Sequence, residues 1–150
     1  MKHLRYFFTS LAFLAFVSVA HADDNQDVLE AVEKAYSAWR NLDIGLVKDS
    51  LDENFNLFHQ NGNLLEEVNW EGLKQWFESG PTINIQPFHP DVRVYGDTAI
   101  YTAYERINIR NSNGDTVNET RRSTNVLVKK KGRWRTVHWH GSLLTPVNPE

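Results

Sequence analysis

The hydrophobic period of this chain changes once, at Gly80-Pro81, and that change limits the folds open to it. Before it, apolar residues recur every three or four positions. Val28, Val32, Ala35, Tyr36 and Trp39 form one face of a helix over about 27–41. Asp43 is placed to cap a second, shorter helix carrying Leu46, Val47 and Leu51. Asn69 caps a third, with Trp70, Leu73, Trp76 and Phe77 on one side. Between these helices, 55–59 reads as a strand and 60–63 as a turn. After Pro81 the period is two. Ile83 and Ile85 alternate, and Pro87 and Pro90 confine their segment to an edge or kinked strand, because proline has no N–H for a ladder. The segments 98–110 and 116–130 are long strands joined at Asn113-Gly114-Asp115, a strong hairpin turn. Lys131-Gly132 turns into a last strand, 133–144. Helices first and an antiparallel meander behind make an α+β domain.

The N-terminus carries a different signal. Lys2 and Arg5 precede a nearly apolar run from Tyr6 to Ala20, and Ala20-His21-Ala22 is a small-x-small cleavage site. The run is shorter than the ~20 residues of a spanning helix. The expected division is therefore a signal peptide, 1–22, and one domain, 23–150. No cysteine follows the site or occurs anywhere in the chain, which excludes a lipoprotein anchor, a disulfide framework and thiolate chemistry. A cysteine-free exported protein suits a bacterial periplasm, with no membrane contact once the signal is removed. Cleavage takes away two bases and no acid, leaving 14 Lys and Arg against 19 Asp and Glu, a net charge of −5. Such a surface argues against nucleic acid as a partner.

The order helix, helix, strand, helix, sheet resembles the nuclear transport factor 2-like superfamily, including its SnoaL-like proteins. Tyr95-Gly96-Asp97 through Ala103-Tyr104-Glu105-Arg106-Ile107 is similar to a Gly-Asp…Ala-Tyr-x-Arg-Ile stretch of one branch. Gly132-Arg133-Trp134 through Val137-His138-Trp139-His140-Gly141-Ser142 is similar to that branch's Gly-Lys-Trp-x-x-Val-His-Phe-His-x-Ser ending. The branch is the association (hub) domain of calcium/calmodulin-dependent protein kinase II. The resemblance implies a cone in which three N-terminal helices pack on a curved antiparallel sheet and enclose a pocket. It also implies that the open sheet face joins copies into a homodimer or larger ring. No kinase motif is present.

On that resemblance Arg106 looks into the pocket and holds an anionic small molecule through its guanidinium. Tyr104 shares its strand face by two-residue alternation and offers a hydroxyl. The branch's two other pocket arginines fall here on Asn125 and Gly141, and Arg121 or Arg122 could compensate. Trp139 is expected on the pocket wall with Asn125. His138 and His140 share the opposite face, but two histidines lack the third ligand a zinc site needs, so neither metal nor cofactor is expected.

Ketosteroid-isomerase-like relatives of the fold use an aspartate base at the end of the first strand and a tyrosine donor in the first helix. Here those places fall near His59 and Tyr36, with Glu66, Glu67 and Glu105 as substitutes. The first functional expectation is thus a secreted, self-associating small-molecule-binding module. The alternative is an isomerase, cyclase or hydratase acting on a small carbonyl compound. In the expected register Thr136 lies on the open sheet face, so Thr136→Asp should break a dimer.

Overall fold

A computed structural model describes residues 17–144, with side chains from Asp24 onward. The order is α1 (Val17–Arg40), α2 (Ile44–Ser50), β1 (Leu51–Phe58), α3 (Trp70–Glu78), β2 (Thr82–Tyr95), β3 (Thr98–Arg110), β4 (Thr116–Lys130) and β5 (Arg133–Leu143). The signal peptide expected over 1–22 lies largely outside the described residues. Helix α1 begins earlier than the apolar spacing of 28–39 marks.

Both expected caps form. The Asp43 carboxylate accepts from the Leu46 N–H at 2.9 Å, and the Asn69 side chain accepts from the Gly72 N–H at 2.9 Å. Leu51, expected in α2, instead opens β1, whose extended backbone starts at that residue.

The five strands form one sheet in the order β1-β5-β4-β3-β2. β2, β3, β4 and β5 are an antiparallel meander, but β1 runs parallel to β5, so the sheet is mixed rather than wholly antiparallel. β1 reaches β5 only after the whole meander has been laid down, and a parallel pair needs such a crossover. β2 occupies the other edge, as its prolines require. It bulges at His89-Pro90, where two residues oppose Ala103 and His89 takes a φ of 52°.

A second bulge decides the site. Thr136 pairs with Leu127 and His138 with Val126, so Val137 is an extra residue on β5. Both Thr136 and Trp139 therefore face inward, although three positions apart. Thr136 is buried and lines the interior. The expectation that it lies on the open face is corrected: strict alternation has no place for the inserted residue.

The inner face carries two clusters. Val28, Val32 and Tyr36 of α1 pack on Ala99, Tyr101, Leu127 and Trp134. Ala38, Val47 and Phe77 pack with Ile83 at the other end. The basic β4–β5 tip is tied down by acids. Lys129 Nζ lies 2.6 Å from Asp24, Lys130 Nζ lies 2.7 Å from Asp52, and Asp49 receives Arg133 at 3.1 Å and Arg135 at 3.0 Å. These bonds clip α1 and α2 to the sheet.

Leu127 is almost fully buried where α1 meets the sheet. Leu127→Ala should cost about 2–5 kcal/mol in urea unfolding, whereas Val117→Ala on the exposed part of the same strand should shift the midpoint little.

Candidate functional site

The helices cover the sheet incompletely. A cavity of about 510 Å³ remains between α1, α3, the segment after β1 and the inner sheet face. This is within the range of pockets that hold small molecules. Most of its wall is apolar or aromatic, with Trp39, Trp76 and Trp139 contributing indoles. Exposed Glu67 and Asn69 border it, so it meets solvent beside the N-terminus of α3.

Alternation along β3 places Tyr101, Ala103, Glu105 and Ile107 inward, all buried. Glu105 is 3% exposed. Its Oε1 accepts from the Tyr36 hydroxyl at 2.7 Å, which joins α1 to the sheet floor. Burial, and next the Glu105 charge, push the Tyr36 hydroxyl far above the ordinary tyrosine range, so it stays a donor. Tyr101 adjoins Tyr36, and burial raises its hydroxyl as well.

Arg121 is the cross-strand partner of Glu105 in register and also lines the cavity, yet it ion-pairs with Glu119 instead. Its guanidinium stands 6.0 Å from the Trp139 ring centroid. The Trp139 indole lies along the strand over Gly141, where a Cβ would overlap its ring. His59 meets the same indole, with centroids 6.1 Å apart. Burial foremost, then the Arg121 charge, lowers the His59 pKa from its ordinary 6.5 and favours the neutral ring at pH 7. His59 Nδ1, Glu66 Oε1 and Gln60 Oε1 are buried without a hydrogen-bond partner. The segment after β1 thus brings the polar residues His59, Glu66 and Glu67 to the wall of a largely apolar cavity.

The SnoaL-like domain family matches residues 28–146. The chain belongs to the SnoaL-like family. A curated relative, the delta subunit of calcium/calmodulin-dependent protein kinase type II from Oryctolagus cuniculus, is 27% identical over 135 residues, which are 83% of this chain. The chain spans only 25% of that relative's length. The association domain of CaMKII from C. elegans superposes with a TM-score of 0.68 at 23% identity, covering 82% of this chain and 98% of that one. A nuclear transport factor 2-like family protein from Streptomyces avermitilis gives 0.72 at 19% identity, over 84% and 99% of the two chains. These likenesses establish the nuclear transport factor 2-like fold.

Within this SnoaL-like domain the expected residues divide. Asn125, Trp139, His59 and Tyr36 line the cavity. Arg106 and Tyr104 do not: they point from the outer sheet face, where Tyr104 stacks on Phe88 with centroids 5.5 Å apart. The placement of Arg106 in the pocket is corrected, because the buried row of β3 is the one through Glu105. The residues underweighted in the sequence are Glu105 and Arg121. Their signal was legible: Ala99, Tyr101, Ala103, Ile107 and Ile109 make the more apolar row of β3, and Glu105 belongs to it. His138 and His140 lie on the outer face, where His138 Nδ1 is 2.6 Å from Asn56 Oδ1. No group of three or more potential metal ligands occurs among the described residues. His59 and Tyr36 line one cavity, but no hydrogen bond joins them, since Tyr36 is committed to Glu105.

Two outcomes follow from this geometry. In Gly141→Ala the indole must leave its seat, so Trp fluorescence should shift and the midpoint of unfolding should fall. For His59, the unfolded chain takes up its proton at a higher pH than the folded one. Its contribution is therefore full above about 6.5 and declines as pH falls below that value. His59→Gln should flatten the pH dependence of thermal unfolding in that range.

Proposed function

We propose that this SnoaL-like protein is exported, self-associates, and holds a small, largely apolar molecule with a polar end in its cavity. The observation that carries the reading is an apolar and aromatic chamber of about 510 Å³ with Glu105, Arg121, Asn125 and His59 as polar groups on its wall. An apolar and aromatic wall with a few convergent polar groups is the make-up of a small-molecule site. The anionic ligand expected from Arg106 loses its carrier, because that side chain faces away.

Export is supported by the basic start, the apolar run and Ala20-His21-Ala22. Asp24, just beyond that site, is bound to Lys129 of the sheet, so the domain keeps its N-terminal attachment if cleavage follows Ala22. Self-association is supported by the hub-domain relatives, which are association domains, and by the outer sheet face. There Ile100 pairs with Val126 and Thr102 with Thr124 across the strands, giving an apolar and β-branched strip. A homodimer or larger ring through this strip would bury it.

An isomerase, cyclase or hydratase acting on a small carbonyl compound is the second reading, and His59 favours it. A largely neutral imidazole on the cavity wall is equipped to take a proton from a bound molecule.

Native mass spectrometry of the protein recovered from the periplasm after expression of the full chain tests the first reading. The expected species is an oligomer of chains starting at Asp23 that carries a small-molecule mass. An uncleaved or permanently monomeric chain would contradict export or association respectively. Val126→Asp, in place of a change at Thr136, should convert the oligomer to monomers. Turnover in a screen of carbonyl compounds, lost in His59→Ala with the fold retained, would put the enzyme reading first.

A further inference from the structure

The charge lining the cavity is mostly negative. Three carboxylates line it, those of Glu66, Glu67 and Glu105, against the single guanidinium of Arg121. Arg121 is already neutralised by Glu119, which also receives Gln60 Nε2 at 3.3 Å. Glu105 has no such neutralisation. It is 3% exposed, the Tyr36 hydroxyl is the one hydrogen-bond partner of its carboxylate among the described residues, and no ion pair reaches it there. Arg106, its chain neighbour, points to the opposite face of the sheet.

A carboxylate held in an apolar surround with one hydroxyl contact is costly, and a cation placed beside it offsets that cost. The surrounding surface suits the same guest. Tyr36, Trp39, Trp76 and Trp139 line the chamber, and aromatic faces attract organic cations. Glu66 and Glu67 add negative charge to the same wall.

We infer that the cavity selects an organic cation, an ammonium on a compact apolar or aromatic body, with Glu105 held by Tyr36 as its counter-ion. This rests on the small-molecule reading above and gives that ligand its charge. An anionic guest would instead meet Glu105 and Glu66, with Arg121 already occupied.

The test is titration calorimetry of the purified full-length protein with three probes of similar size at pH 7.5: 2-phenylethylammonium, neutral 2-phenylethanol and 3-phenylpropionate. The ammonium should bind about tenfold more tightly than the alcohol, the scale of one charge-assisted hydrogen bond, and the carboxylate more weakly than either. Glu105→Gln should abolish the preference for the ammonium over the alcohol. Equal binding of ammonium and alcohol, or tightest binding of the carboxylate, would overturn the inference while leaving a ligand-binding cavity in place. A preference that survives in folded Glu105→Gln would also overturn it. Binding of none of the three at millimolar concentration would remove the small-molecule reading and this inference together. The comparison among probes needs only the wild-type protein, so it stands even where the variant does not fold.

Discussion

One inserted residue governs how this molecule presents its chemistry. Val137 bulges from β5 between Thr136 and His138, and the side-chain order of the strand reverses there. Upstream, Trp134 and Thr136 face α1 and the interior; downstream, Trp139 does, and the two histidines turn outward. Without the bulge, a strand that buried Thr136 would carry His138 and His140 into the cavity and send Trp139 to the outer face. The cavity would then lose the indole that meets both Arg121 and His59.

Trp139 in turn depends on a missing side chain. Its ring lies over Gly141, at a position where the hub-domain resemblance implies an arginine. Asn125, the other such position, faces Trp139 across the strands. Where the resemblance implies two further pocket arginines, this cavity carries an aromatic platform and an amide. Arg121, the cation that does line the cavity, is bound to Glu119, and a buried carboxylate stands opposite it in register. A shared fold does not by itself fix a ligand, because function resides in the groups a site presents rather than in the architecture.

Much of the architecture was legible in the residues. The caps Asp43 and Asn69, the Pro87 and Pro90 edge strand and the Asn113-Gly114 hairpin all act through local backbone chemistry, and all lie where that chemistry puts them. The parallel pairing of β1 with β5 was not legible, since it joins segments far apart in the chain and leaves no local signal. The site was half legible. His59, Tyr36, Asn125 and Trp139 reach the cavity, whereas Arg106 was drawn in by resemblance against the apolar row of its own strand.

The sequence by itself determined the change of period at Gly80-Pro81, the two helix caps and the lack of cysteine, because each follows from residue types and their spacing. Only the tertiary structure decided that Glu105 and Tyr36 meet, that Arg121 turns to Glu119, and that Thr136 faces inward. The physical reason is that these facts depend on register. A single extra residue in a strand moves every side chain beyond it to the other face, and composition is blind to that shift.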